Sequence, residues 1–440
     1  MLLESDLDAF LTKNNLMLQT VTAGGFFSIG GMTAVDVHGG TIDAPIFAET
    51  VSAFTTMDAD GQERVIDRDS KDQENNLLLP FVRVSLGALG IVTKIVIDVL
   101  PRPWATTIQG GKERYLLEDK QAFTAQFQQL LNGPSKHTRM EVFYTPYAAA
   151  SNLPFPVSLK NFLVLWWDVV DNPDQKVPNK VPDSDMACTL SKEEKFGAPY
   201  LKGIAKWGVN FVRKSQYFDS AYSPLHFPPV PPSGYAAIAL DEIERQVKAA
   251  NNEHSDLWLT QAAQVMFMSY FIELPKLDEA GLEKVWDGLQ AAGDYVIQTG
   301  NFHIAAPMEF RFVKGGDSVM SSTYTKNADA WFINLDLIGF IEPTTGAEYP
   351  EALLKFFATV ERKWVEMGGL PHNGKMYGFY DPQDSNKDSF GPPFNKNFLK
   401  FITQKRIDRG APVAAFKEYR QISDPDGRFY NQYLHDLLEN

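Results

Sequence analysis

The chain has 440 residues, 44% hydrophobic and 22% charged, with a formal net charge of −14. That length accommodates about two to three domains and a sizeable core, and the acidic balance argues against a phosphate-backbone binder. A single cysteine, Cys188, excludes intrachain disulfides and cysteine-rich metal sites, and no run is long enough for a membrane span.

The start, Met1-Leu2-Leu3-Glu4, has neither a basic nor an apolar leader region, so no signal peptide is expected. Residues 3–16 predict an amphipathic helix with Leu7, Phe10 and Leu11 on one side. Residues 24–40 then carry six glycines and one histidine. Such clusters serve close backbone approach to a ligand or tight turns, and both readings stay open here. Ser28 is placed to cap a short helix from Ile29, whose first N–H groups would face a phosphate. Val51–Met57 reads as a strand, and Asp60-Gly61 as the turn of a hairpin running into Arg64–Ile66. The run Phe81–Leu100 becomes strand-like in its second half and ends at Pro101-Arg102-Pro103, a boundary signal.

Further along, strands are expected at 138–144, 161–169, 263–273, 306–313 and 330–340. Helices are expected at 118–132, 238–251, 277–298 and 350–367. Residues 172–234 are rich in Pro, Lys and Asp and read as a loop-dominated lid or insert. The last stretch, 411–440, reads as helical around Asp424-Pro425-Asp426-Gly427-Arg428-Phe429-Tyr430-Asn431. Strand runs with flanking helices imply an α+β class.

Three ordered motifs carry a resemblance. They are Ser28-Ile29-Gly30-Gly31…His38-Gly39, the run Ser85-Leu86-Gly87-Ala88-Leu89-Gly90-Ile91-Val92-Thr93, and the Asp424–Asn431 ending. Together they resemble FAD-linked oxidases of the vanillyl-alcohol oxidase/p-cresol methylhydroxylase family, and within it most the flavin-linked type II cholesterol oxidases. The chain is also similar to aldonolactone and alditol oxidases. The resemblance implies a PCMH-type FAD-binding fold, with an α+β substrate cap inserted into it. The expected division is 1–103 for the second FAD subdomain, 104–375 for the cap, and 376–440 for a segment returning to the FAD domain. Family likeness places Ser28, Ile29, Gly30, Gly31, His38, Gly39, Gly90, Ile91 and Val92 along FAD. The family's first subdomain, with its pyrophosphate loop and its flavin-linked histidine, has no counterpart in this sequence. None of the seven histidines stands in the matching context, so no covalent attachment is expected.

Met308-Glu309-Phe310-Arg311-Phe312 has period two, so Glu309 and Arg311 share one face of a strand. Same-face neighbours lie roughly 6.5 Å apart, within reach of a charge-assisted pair. The residues alone allow a surface ion pair on an edge strand; the resemblance implies an active-site pair linked to oxygen access. Asn334 stands in the apolar run Ala330–Asp336 and must find partners. It reads as a satisfied core amide or, by resemblance, as an amide facing the active site. Pro371-His372-Asn373-Gly374-Lys375 resembles the Pro-His-Trp-Gly-Lys element of sugar-lactone oxidases, with Asn373 in place of Trp. Lys375 is then a flavin-side cation or an exposed turn residue, and His372 a weaker candidate for base or substrate contact. Trp166, Trp167, Trp258, Phe267 and Tyr270 line a hydrophobic cavity or fill the core.

The expected activity is FAD-dependent oxidation of a carbinol carbon, with oxygen accepting the electrons. A hydrophobic, sterol-like alcohol is the first expectation and an aldonolactone or alditol the second. A truncated homologue that binds no flavin is the third.

Overall fold

The computed structural model describes residues 2–22, 27–72, 75–102, 106–134, 136–146, 160–171, 240, 265–299, 302, 307–340, 349 and 351–439. The expected lid at 172–234, Trp258, Cys188 and nearly all of the expected helix 238–251 lie outside them.

The first hundred residues build two small sheets. Helix α1 (Glu4–Lys13) has acidic residues in its first turn and a lysine in its last, which suits the helix dipole. Strand β1 (Leu16–Met17) pairs antiparallel with β5 (Leu100–Pro101), so the expected boundary at Pro101 closes a sheet. Helix α2 (Ile29–Ala34) is capped by Ser28, whose hydroxyl accepts from the Gly31 N–H at 3.3 Å. Strands β2 (Val51–Met57), β3 (Glu63–Asp67) and β4 (Ile91–Ile97) form an antiparallel sheet in the order β3-β2-β4. The expected Asp60-Gly61 turn forms there, with Asp58 Oδ1 accepting from the N–H groups of Asp60 (3.0 Å) and Gln62 (2.9 Å). The short helix α3 (Leu79–Val82) precedes β4.

The larger unit is a seven-stranded antiparallel sheet. Its strands are β6 (Thr106–Tyr115), β7 (Met140–Tyr144), β8 (Phe162–Asp171), β9 (Val265–Leu274), β10 (Met308–Lys314), β11 (Trp331–Phe340) and β12 (Leu370–Pro371). Their order is β12-β9-β11-β10-β7-β8-β6. Five of these match the expected strands within a few residues. Strand β6 was not expected: it lies at the sheet edge and carries Gly110, Gly111 and three consecutive charged residues, so it lacks an apolar alternation.

Period two divides this sheet into two chemically distinct faces. One face carries Val142, Phe310, Phe312, Ile333, Leu335, Tyr270 and Ile272, all buried. Helices α4 (Lys120–Asn132), α5 (Glu279–Thr299) and α6 (Glu351–Glu366) cover it. Phe310 meets Phe127 at 5.5 Å and Phe123 at 6.3 Å between ring centroids, and Tyr270 packs on Trp364 at 5.7 Å. Tyr270 is therefore core rather than cavity lining, and its hydroxyl donates to Glu361 at 2.6 Å. The opposite face carries the polar residues that form the site.

After β12 the chain forms helices α7 (Lys396–Asp408), α8 (Val413–Ser423) and α9 (Gln432–Leu438). Helix α7 was not expected. The segment read as helical from 411 breaks at Asp424, a wholly buried carboxylate that accepts from the N–H groups of Arg428 (2.7 Å) and Phe429 (2.8 Å). Arg428 reaches back to donate to the Ala59 carbonyl at 2.7 Å, pinning the β2–β3 turn.

Candidate active site

Glu309 and Arg311 sit on β10, a central strand with β11 on one side and β7 on the other. They share a face, as the period-two pattern implied, while Phe310 and Phe312 face the helices. Both are buried, at 1% and 6% exposure, so the edge-strand surface pair is overturned. Arg311 Nη2 contacts a Glu309 carboxylate oxygen and lies 2.6 Å from Glu141 Oε1 on β7. The unit is thus a buried carboxylate–guanidinium–carboxylate triad. Glu141 escaped sequence reading, although a charged residue inside the apolar strand Met140–Tyr144 was the available signal.

Register brings further polar groups beside the triad. Arg311 stands opposite Asn334, and Glu309 opposite Asp336. Asn334 and Asp336 in turn stand opposite Phe271 and Ser269. Asn334 Nδ2 donates to Ser269 Oγ at 2.8 Å. Its Oδ1 is buried and accepts no well-formed hydrogen bond among the described residues, and the same holds for Asp336 Oδ1. Lys375 Nζ meets Asp336 Oδ2 at 2.5 Å and lies 4.8 Å above the Phe267 ring. Lys375 is therefore neither a bare surface lysine nor distant from the pair. Asp336 and Ser269 were legible only as period-two neighbours of Asn334 and Phe271.

Two buried histidines complete the group. His372 follows β12; its Nδ1 accepts from the Gly374 N–H at 2.9 Å, which places the ring proton on Nε2. His38 packs edge-on to Phe271 at 5.3 Å, lies 5.9 Å from His372, and holds Nδ1 3.4 Å from the Gly39 carbonyl. Burial pushes His38 well below the ordinary imidazole range, with Arg311 and Lys375 pushing the same way; the adjacent Asn334 amide opposes them. Burial, then Lys375 and His38, lower His372 similarly. Both rings are neutral at neutral pH and able to accept or donate one hydrogen bond at each nitrogen.

The glycine-rich segments adjoin each other. The N–H groups of Val84 and Leu86 donate to Thr33 and Ala34 carbonyls of α2 at 2.9 and 3.1 Å. Val84 (φ +53°) and Leu86 (φ +56°) both occupy the left-handed region, a strain that side chains rarely accept. Gly39 and Gly90 are explained by the chain itself. A Cβ at Gly39 would strike the Val21 carbonyl oxygen; one at Gly90 (φ +118°) would strike that of Met57. Gly30 and Gly31 are exposed instead, and nothing lies within 4 Å of a Cβ at Gly30. Ile29 is buried in a small apolar cluster, Val92 is half-buried and Ile91 is 56% exposed. Of the expected cofactor residues, only His38 is seen against the polar face of the sheet, beside Phe271, Arg311 and Asn334.

Comparison with known proteins places this geometry. Residues 267–437, which carry Asn334, Lys375 and the Glu309–Arg311 pair, match the family described as ALO, D-arabinono-1,4-lactone oxidase. Over that stretch the chain is similar to the FAD-linked lactone oxidases. It is 22% identical over 438 residues to L-gulonolactone oxidase of Mus musculus, covering 99% of this chain and 79% of that protein. Its fold is similar to a solvent-stable cholesterol oxidase (TM-score 0.65, 16% identity, 99% of this chain and 80% of the other). It is also similar to cholesterol oxidase from B. sterolicum (TM-score 0.63, 14% identity, 99% and 80%). The architecture is that PCMH-type FAD-binding fold.

FAD is the group this family implies, and the residues present fit its reactive end. The buried oxygens of Asn334 and Asp336 are acceptors for an incoming N–H or O–H. Arg311 and Lys375 set two cations around His38, suited to negative charge developing on a reduced ring. Among the described residues no group of His, Cys, Asp or Glu is arranged to hold a metal, and no helix is long and apolar enough to cross a membrane.

Proposed function

We propose that this FAD-linked oxidase oxidises the carbinol carbon of a small hydroxylated substrate of the aldonolactone or alditol class. The carrying observation is the polar sheet face, where Glu141, Glu309, Arg311, Asn334 and Asp336 are all buried beside Lys375 and two neutral histidines. A polyhydroxylated molecule brings hydroxyl donors to the buried Asn334 and Asp336 oxygens on this face, which an apolar one does not. The family likeness over residues 267–437 supports the same class.

Bound FAD supplies the hydride acceptor and the route to oxygen, which leaves as hydrogen peroxide. Ser28, Gly30, Gly31, His38 and Gly39 would hold it, together with Gly90, Ile91 and Val92. Arg311, fixed by its two carboxylates, stabilises negative charge on the substrate oxygen. His38, kept neutral by burial and nearby cations, takes the hydroxyl proton. Asn334 orients the substrate through its carbonyl oxygen, and Lys375, paired with Asp336, would set a positive charge beside the bound ring system.

A second reading keeps the chemistry and makes the substrate a sterol-like alcohol; the fold likeness to two cholesterol oxidases supports it. The test is an absorbance spectrum of the purified chain with FAD, before and after acid precipitation, followed by peroxide assays. Acid-released yellow flavin with turnover of aldonolactones or alditols supports the proposal. Turnover of sterols alone favours the second reading. Failure to retain flavin under any condition refutes both and leaves a non-catalytic homologue.

A further inference from the structure

Resting on the flavin-oxidase reading, we propose that Asp36 is a positioning residue of this site. It clamps the Asn373 turn so that His372 and Lys375 are presented to His38 and Asp336.

Asp36 is wholly buried just past α2, two residues before His38. Its Oδ1 accepts from Ser321 Oγ (2.7 Å) and the Ser322 N–H (3.0 Å). Its Oδ2 accepts from the Asn373 N–H (2.9 Å) and Asn373 Nδ2 (2.7 Å). All four partners are placed as donors to it, which together with Arg406 favours the ionised carboxylate against the burial that raises its pKa. Arg406 of α7, itself 1% exposed, supplies the compensating charge. Its Nη2 donates to Asn373 Oδ1 at 2.8 Å, while Asn373 Nδ2 also donates to the Met320 carbonyl at 2.8 Å.

Asn373 is therefore a bridge between an anion and a cation drawn from opposite ends of the chain. It stands where the sugar-lactone oxidase element has tryptophan. An indole offers one donor and no acceptor, and cannot make this bridge.

What the clamp holds is the reactive turn. The His372 N–H donates to the Ser269 carbonyl at 2.9 Å, the Gly374 N–H to His372 Nδ1 at 2.9 Å, and the Lys375 N–H to the His372 carbonyl at 3.1 Å. A Cβ at Gly374 would lie 3.0 Å from both His372 Cε1 and Val35 Cγ2, so the turn sits flush against the residue preceding Asp36. One carboxylate thereby registers the loop bearing His38 against the turn bearing His372 and Lys375.

The test uses the full chain, ¹⁵N-labelled at histidine, and the same chain loaded with FAD. Asp36→Asn turns an amide donor toward the two Asn373 donors. Asn373→Ala removes the bridge to Arg406 while keeping the backbone N–H contact, and it carries the test if Asp36→Asn does not fold. The wild-type spectrum is expected to show His372 protonated on Nε2. Besides His38, the charged groups facing His372 are Lys375 and Asp336. In each folded variant the His372 signal should lose that tautomer and titrate nearer the ordinary value of about 6.5. In the loaded enzyme kcat should fall roughly 10²-fold with little change in KM. The exchanged pair, Asp36→Asn with Asn373→Asp, should recover the His372 signal. Folded variants with an unchanged His372 tautomer and titration would overturn the proposal. Failure of the flavin reading shows separately, as wild-type protein without bound flavin, and leaves the imidazole result standing.

Discussion

Replacing Arg311 by methionine keeps most of the side-chain volume and deletes the charge between Glu309 and Glu141. In the native protein one Nη2 serves both carboxylates, and all three residues are at most 6% exposed. At an effective dielectric near 20, each contact contributes about 4 kcal/mol of gross attraction. Desolvating three charges offsets much of that, so the intact triad is close to neutral for stability. Truncation is different, because two buried carboxylates then lose their shared cation, at a cost of about 3–5 kcal/mol. The variant can recover by protonating them. Their folded pKa values then exceed the unfolded ones, so the recovery is complete below the unfolded pKa and is lost as pH rises through the folded pKa. The destabilisation should therefore be large at about pH 8 and shrink toward about pH 5, by roughly 1.4 kcal/mol per pH unit for each carboxylate within its window. Urea unfolding of both proteins at the two pH values measures this. A penalty under about 1 kcal/mol, or one equal at both pH values, would refute the buried-triad reasoning.

Gly30→Ala meets open space inside a helix and should leave stability within about 1 kcal/mol, so a tenfold or so loss of FAD affinity would report cofactor contact directly. Gly90→Ala, at φ +118° and against the Met57 carbonyl, should cost about 1–3 kcal/mol in chemical denaturation; an unchanged midpoint would contradict that contact. Glu361, which accepts from Tyr270 and the N–H groups of Gly378 and Phe379, is pushed up from 4.5 to about 7 by burial. Its contribution is complete below the unfolded pKa and fades as pH rises toward 7, so Glu361→Gln should gain roughly 3 kcal/mol relative to wild type between about pH 4.5 and pH 8. His38 and His372 are both depressed, so their contribution is present above about 6.5 and lost as pH falls below it. His372→Phe should flatten the acid limb of the stability profile; an acid limb as steep as wild type would place the titration elsewhere.

Much of this arrangement was legible because a strand alternates. Glu309 and Arg311 had to share a face once the segment was a strand, and Phe310 and Phe312 had to share the other. The same rule extended to Asn334 would have delivered Asp336. What alternation cannot supply is pairing order. Glu141 joins Arg311 only because β7 lies beside β10, a choice made by tertiary packing and not by either strand alone. Asp36 was likewise invisible, since its four partners come from segments some 285 and 337 residues away. Strand β6 and helix α7 were missed for a local reason, weak apolar periodicity at an exposed edge and in a charged helix. The readings that failed, the surface ion pair and Tyr270 as cavity lining, were decided by burial and by which sheet face met the helices.

The Arg428–Ala59 contact has a consequence for biosynthesis. The donor and acceptor are 369 residues apart. At roughly 5–20 residues per second, a ribosome needs about 20–70 s to deliver the arginine after the alanine has emerged. For that interval the β2–β3 hairpin exists without its latch. Its neighbour β4 presents Ile91 and Val96 at 56% and 46% exposure even in the finished protein. The nascent hairpin therefore waits on a residue made 369 positions later, and the turn is locked only when the segment between α8 and α9 folds back onto it.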